Sequence, residues 1–154
     1  MVSRRALLLG LGTTALVGVA GGTVFATTRT PQAALAPWQS PGALAGDPRI
    51  KALEWAVLAP SPHNRQPWLV ALDGDDTATI YCDLERRLPM TDPFDRQIVI
   101  GLGAFLELFV LAARNAGSDV AVELFPEGAA EMPNRLDDRP VARLVLTPGG
   151  TADP

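Results

Sequence analysis

The strongest constraint on the fold is an apolar stretch that begins near Thr91 and ends at Gly117. Thr91 or Asp92 can cap a helix there, and Gly117 offers its C-terminal stop. Apolar side chains cover most of the circumference of this helix: Ile98, Leu102, Phe105, Leu106, Phe109, Val110 and Ala113. A helix with so much apolar surface must be buried, at the centre of a domain or against a partner. We therefore expect a long buried central helix.

The remaining periodic segments predict one shorter helix and four short strands. The helix covers residues 48–59, because Asp47 is a good N-cap and Pro48 is favoured at the first helical position. The strands are runs rich in apolar, β-branched or aromatic residues, at 68–72, 77–82, 120–124 and 141–146. These elements indicate the α+β class. They give a thin core, so we expect residues 47–154 to be the N-terminal part of a larger, incomplete domain.

Charge and the scarcity of metal-binding side chains exclude several functions. The chain has 13 basic and 17 acidic residues and a net charge of −4. An acidic chain argues against DNA or RNA as a partner, because nucleic-acid-binding proteins neutralise phosphates with basic patches. Cys82 is the single cysteine and His63 the single histidine, which excludes an internal disulfide and multi-histidine metal sites. We predict no metal site, and a buried, unreactive Cys82 thiol.

The N-terminal 26 residues have the layout of an export signal. Arg4 and Arg5 precede a long uncharged run, and this stretch resembles a twin-arginine signal. We expect residues 1–26 to be such a signal or, uncleaved, a membrane anchor through residues 6–26, since the run is long enough to span a bilayer. The twin-arginine export machinery is then a partner, and the protein is periplasmic or membrane-anchored. Residues 27–46 are predicted to be a linker.

The loop between the short helix and the first strand, residues 59–68, brings several hydrogen-bonding side chains together. Its three prolines make it stiff. Ser61, Asn64 and Gln66 add a hydroxyl and two amides, and an amide presents a donor beside an acceptor. Such a loop suits hydrogen bonding to a planar heterocycle. The alternative is a structural connection whose Asn and Gln side chains satisfy loop backbone groups.

Other residues near this loop allow more than one interpretation. His63 could contact the heterocycle or a substrate, or it could be a solvent-facing loop histidine. A Ser61–His63 nucleophile pair is not indicated, since no Gly-x-Ser-x-Gly elbow surrounds the serine. Arg65 could contact an anionic group. Gly101 and Gly103 lack the third glycine of the dinucleotide fingerprint, and helix packing explains them better.

The loop sequence Pro60-Ser61-x-x-Asn64-x-Gln66-Pro67-Trp68, following an apolar helix, resembles the flavin-contacting loop of the nitroreductase family. The Asp92-Pro-Phe-Asp95-Arg96 start of the long helix, with the glycines that follow it, is also similar. The resemblance covers about residues 47–125 and is strongest to the exported, Acg-like branch of FMN-binding oxidoreductases.

This resemblance implies a nitroreductase-like, FMN-dependent fold with the flavin at a subunit or half-molecule interface. A homodimer or a missing C-terminal half would complete it. FMN would be the cofactor, NAD(P)H the electron donor, and nitro compounds, quinones or similar small molecules the electron acceptors. The candidate cofactor-binding residues are Pro60, Ser61, His63, Asn64 and Gln66. No catalytic side chain is expected among them, because the flavin ring does the chemistry.

The region before the short helix differs from the family pattern. Typical members carry an Arg-x-Ser-x-Arg segment that binds the FMN phosphate, whereas here Arg29 stands alone. Two alternatives to an oxidoreductase therefore remain open. One is a flavin-binding or flavin-sequestering protein without turnover, and the other is an inactive truncated fragment.

Overall fold

The structure, a computed structural model, describes residues 18–29, 33, 35, 38, 46–129 and 135–149. It divides into two units, Met1–Gln39 and Ser40–Pro154, which are described separately. In the first unit, residues 18–28 are helical and exposed. The arginine pair and the first part of the predicted signal, together with most of the predicted linker, lie outside the described residues.

The second unit contains two helices and one sheet. The helices are α1, Pro48–Ala56, and α2, Arg96–Asn115. The strands are β1, Trp68–Asp73; β2, Thr77–Cys82; β3, Ser118–Leu124; and β4, Ala142–Pro148. All neighbouring strands are antiparallel, in the order β1-β2-β4-β3. The α+β class and every predicted element are confirmed, with two changes of bounds. Helix α1 ends at Ala56 and not at residue 59, and α2 begins at Arg96 and not directly after Thr91 or Asp92.

Helix α2 forms the core together with one face of the sheet and with α1. Successive residues of a strand point to opposite faces of the sheet, so alternate residues share a face. Ala78, Ile80 and Cys82 of β2 share one face in this way, and all three are buried. The α2 side chains Ile98, Leu102, Phe105, Phe109 and Ala113 are fully buried. The ring of Phe105 lies 4.8 Å from that of Trp68.

The burial expected of the long helix is found on one face only. Ile100 is 72% exposed, and Val99 and Leu111 are also exposed. Within the part of the chain that the structure describes, α2 is the helix whose length and composition would allow it to cross a membrane. Its apolar face is instead part of the core of this unit.

A buried arginine connects the start of α1 to the β1–β2 turn. Asp47 caps the helix as predicted, and its carboxylate accepts hydrogen bonds from the backbone N–H and the guanidinium of Arg49. The Nη1 atom of Arg49 donates to the carbonyl oxygens of Asp73, Gly74 and Thr77 at 3.2, 2.9 and 2.9 Å. One ion pair therefore orients a side chain that satisfies three turn carbonyls.

The Asp47–Arg49 pair predicts an acid-sensitive contribution to stability. The Arg49 guanidinium lowers the pKa of the Asp47 carboxyl below its ordinary value of 3.8. A carboxyl with a lowered pKa stabilises the fold above its unfolded-state pKa, and this contribution disappears as the pH falls through the folded-state value. We expect Asp47→Asn, which keeps a good N-cap, to lower the free energy of unfolding near neutral pH.

Urea unfolding of both proteins between about pH 6 and about pH 2 measures this effect. The stability difference between them should shrink steadily as the pH falls. A difference that stays the same across this range would show that the Asp47 charge does not contribute.

Candidate functional site

The proline-rich loop packs closely against α2 at Gly101. A Cβ atom added to this buried glycine would lie 3.2 Å from Pro62 Cδ and 3.4 Å from the carbonyl oxygen of Pro60. Any side chain would therefore press on the loop, and glycine permits the close approach. By contrast, Gly103 has no atom within 4 Å of the same added position. The packing explanation is confirmed for Gly101 but is wrong for Gly103, which is exposed.

An open cleft of about 350 Å³ lies between the loop and the helix. Its lining consists of three loop residues and four helix residues: Pro60, Ser61 and Pro62, with Gln97, Ile100, Gly101 and Ala104. Ser61 and Gln97 contribute its two polar side chains, and none of the seven side chains is charged. The volume is at the lower end of the range for small-molecule sites, and the lining is mostly apolar, as in such sites.

Hydrogen bonds within the loop connect the predicted amides to the hydroxyl that lines the cleft. The backbone N–H of Gln66 donates to Ser61 Oγ at 2.8 Å. The side-chain Nε2 of Gln66 donates to Asn64 Oδ1 at 3.0 Å, and the backbone N–H of Asn64 donates to the Ser61 carbonyl at 2.9 Å. The bonds made by Asn64 and Gln66 therefore hold Ser61 in place, although neither residue lines the cleft.

The loop backbone contains three non-glycine residues in the left-handed region. The φ angles are 50° at His63, 52° at Asn64 and 52° at Gln66. Such residues are uncommon, and they persist where surrounding contacts fix the backbone. Those contacts come partly from Arg65, which donates to the carbonyl oxygens of Glu85 and Arg86, both at 3.1 Å. The Arg65 guanidinium therefore bonds backbone carbonyls, and contact with an anionic group stays a prediction.

Two further predictions concern His63 and Cys82. His63 is exposed and has no hydrogen-bond partner among the described residues, so it forms no pair with Ser61. Cys82 is buried in β2, and burial raises the pKa of its thiol to about 11. The predicted burial of Cys82 is confirmed, and the raised pKa favours the thiol over the thiolate, which is the reactive form.

Two buried carboxylates organise the start of α2 beside the cleft. Asp92 Oδ2 accepts from the backbone N–H of Ile98 at 3.0 Å, so Asp92 satisfies a free amide of the first turn of α2. The N-cap itself is Asp95, so the prediction of Thr91 or Asp92 at that position was wrong. Asp95 is 2% exposed, forms a two-point ion pair with Arg87 and accepts from the N–H of Leu136 at 2.9 Å.

Comparison with known proteins gives partial matches. No family model matches the chain. A 75-residue segment, 49% of this chain, is 40% identical to acg of Mycobacterium tuberculosis, named as a candidate NAD(P)H nitroreductase, and covers 22% of that protein. An uncharacterized protein of the same organism is 35% identical over 85 residues, covering 53% of this chain and 23% of that protein. About half of this chain is therefore similar in sequence to a protein named as a candidate NAD(P)H nitroreductase. The chain spans less than a quarter of either relative.

One solved structure has a fold similar to that of this chain. The crystal structure of a candidate NADH oxidase from Clostridium acetobutylicum aligns with a TM-score of 0.50, over 74% of this chain and 81% of that chain. The sequence identity is 15%, so this likeness concerns the fold alone. The mixed helix-and-sheet fold expected from the nitroreductase resemblance is confirmed at this level.

The cleft contains some of the predicted cofactor-binding residues and several others. Pro60 and Ser61 line it, whereas His63, Asn64 and Gln66 lie outside its lining. A direct cofactor contact by each of these five residues stays a prediction. The helix residues of the lining were missed: Gln97, Ile100, Gly101 and Ala104. Their spacing of three, four and seven positions places them on one helix face, and this periodicity is the signal that could have identified them.

Proposed function

We propose that this chain contributes the flavin-holding part of an FMN-dependent oxidoreductase that passes hydride from NAD(P)H to nitro compounds, quinones or similar acceptors. The observation that carries the proposal is the uncharged cleft between the stiff loop and α2, with one hydroxyl and one amide in its lining. The 40% identity of half the chain to a protein named as a candidate NAD(P)H nitroreductase supports the reaction class.

The lining of the cleft fits the ring part of a flavin. Pro60 and Pro62 on the loop side, and Ile100 and Ala104 on the helix side, offer apolar surface to the faces of a planar ring. The Ser61 hydroxyl and the Gln97 amide can hydrogen-bond polar atoms at the ring edge. When bound, FMN supplies the hydride chemistry, and the chain binds the ring, orients it and excludes water from its covered face.

The loop hydrogen bonds give Asn64 and Gln66 a positioning role. Gln66 fixes the Ser61 hydroxyl through its backbone N–H, and Asn64 fixes the Gln66 side chain. Removing the Asn64 amide should loosen this chain of bonds without removing any atom from the cleft lining. We therefore expect Asn64→Ala to weaken flavin binding at least about threefold, the effect of losing part of one hydrogen bond.

A titration of the purified chain with FMN, followed by flavin fluorescence, measures this effect. The control is Asn115→Ala, because Asn115 is exposed at the opposite end of α2. Equal FMN affinity of the Asn64→Ala and Asn115→Ala variants would refute the positioning role of the loop amides.

The proposed activity is tested with the purified full chain, with added FMN. A flavin absorbance band, together with NAD(P)H oxidation that depends on a nitroaromatic or quinone acceptor, would support the oxidoreductase. Bound flavin without turnover would instead indicate a flavin-sequestering protein. Failure to bind flavin would overturn the proposal and favour an inactive fragment.

We also propose that the protein is exported by the twin-arginine machinery to the periplasm or the membrane. Support comes from Arg4 and Arg5, followed by the long uncharged run. Replacing both arginines with lysine should leave the protein in the cytoplasm, as measured by cell fractionation. Unchanged export of this variant would contradict the twin-arginine route.

A further inference from the structure

We infer that the cleft recognises the uncharged ring system of a flavin and makes no contact with its phosphate, so that this chain binds riboflavin about as tightly as FMN. The inference rests on the proposed function and specifies which part of the cofactor the same site recognises. It is argued from the charges around the cleft and from its two polar side chains.

Among the described residues, no cation lines the cleft, and the arginines near it are otherwise engaged. Arg65 donates to two backbone carbonyl oxygens, and Arg87 is paired with Asp95. The Arg96 guanidinium lies over the Phe94 ring, 5.7 Å from its centroid, and Arg96 is not among the lining residues. Tight phosphate binding in proteins commonly relies on arginine or lysine at hydrogen-bond distance, and these contacts supply no such group.

The start of α2 is also unsuited to a phosphate. A helix N-terminus can bind an anion through its free N–H groups and its dipole. Here the Asp92 carboxylate already accepts from the Ile98 N–H, and the buried Asp95 lies at the N-cap position. The Asp92 carboxylate therefore already occupies one of the N–H groups that a phosphate would need, and its negative charge would repel a phosphate.

The polar groups that remain suit neutral ring atoms. Ser61 Oγ accepts from the Gln66 N–H, which leaves the hydroxyl proton to donate. Gln97 Nε2 makes a long hydrogen bond of 3.5 Å to the carbonyl of Thr91, so the Gln97 amide can donate and accept at the ring edge at little cost. Gln97 is therefore the residue most able to recognise the ring.

The test compares riboflavin and FMN as ligands of the full chain, with flavin fluorescence as the readout. We expect the two dissociation constants to agree within about threefold, since an arginine–phosphate contact would separate them by about tenfold or more. We expect Gln97→Leu to weaken the binding of riboflavin and of FMN equally, by about fivefold, which is the effect of one lost hydrogen bond. The control is Glu107→Gln, on an exposed part of α2 outside the cleft lining.

Each other outcome overturns a stated part of the inference. FMN binding at least about tenfold tighter than riboflavin would show that the phosphate is recognised, and loss of that preference in Arg96→Gln would identify its partner. Equal binding of both flavins with no effect of Gln97→Leu would remove the role of Gln97. Binding of neither flavin would overturn the proposed function itself.

Discussion

Gly101→Val is expected to weaken flavin binding at least about tenfold, because it places a branched side chain between the loop and α2. The added Cβ alone would lie 3.2 Å from Pro62 Cδ, and two further methyl groups must displace the loop or fill the cleft. Overpacking of this kind costs about 1–3 kcal/mol of the free energy of unfolding. The helix propensity of valine, slightly better than that of glycine, offsets only a part of this loss.

The control for this prediction is the same substitution two residues away. Gly103 lies in the same helix but is exposed, and an added Cβ there meets no atom within 4 Å. Gly103→Val therefore changes helix propensity without touching the loop, and we expect unaltered flavin binding. FMN titration and urea unfolding of both variants give the comparison. Similar FMN affinities in the two variants would mean that the cleft at Gly101 is not the flavin site.

The elements of the fold could be predicted because their signals are local. Thr77–Cys82 has the β-branched pattern of a strand, and its bounds are as predicted. The strand order β1-β2-β4-β3 was not predicted, because the pairing of Ile80 with Ala142 joins residues far apart in the chain. Such pairing depends on which apolar strand faces pack together against α2, and a short stretch of sequence does not contain that information.

The site could be predicted only in part, for a similar reason. The stiff loop and its hydrogen-bonding residues are visible in the sequence, and Pro60 and Ser61 do line the cleft. The direction of the Asn64 and Gln66 side chains depends on left-handed backbone angles that non-glycine residues seldom adopt. The partner of Arg87 was missed because an irregular segment separates it from Asp95, and only the folded chain brings the two together.

Asp95→Asn is expected to lower the free energy of unfolding by about 3 kcal/mol, the effect of removing one partner of a buried ion pair. The Asp95 carboxylate bonds the Arg87 guanidinium at two points and also accepts from the Leu136 N–H. The amide of asparagine has one acceptor oxygen and directs an N–H group at one of these donors. The φ of 55° at this position suits asparagine as well as aspartate, so backbone strain does not confuse the result.

A matched substitution at an exposed ion pair separates burial from charge. Glu123 and Arg143 face solvent on neighbouring strands, with a 3.4 Å contact, so Glu123→Gln should change stability by less than about 1 kcal/mol. Urea unfolding of both variants measures the contrast, and equal small losses would show that the Arg87–Asp95 pair behaves like a surface pair.

The origin of the loss at Asp95 can be tested with a double variant. If the loss comes from an Arg87 guanidinium left without the Asp95 carboxylate, then removing the guanidinium as well should restore part of the stability. We expect Arg87→Met combined with Asp95→Asn to be more stable than Asp95→Asn alone, because the methionine needs no partner in a partly buried position. Additive losses would instead assign the effect to the Leu136 hydrogen bond and the start of α2.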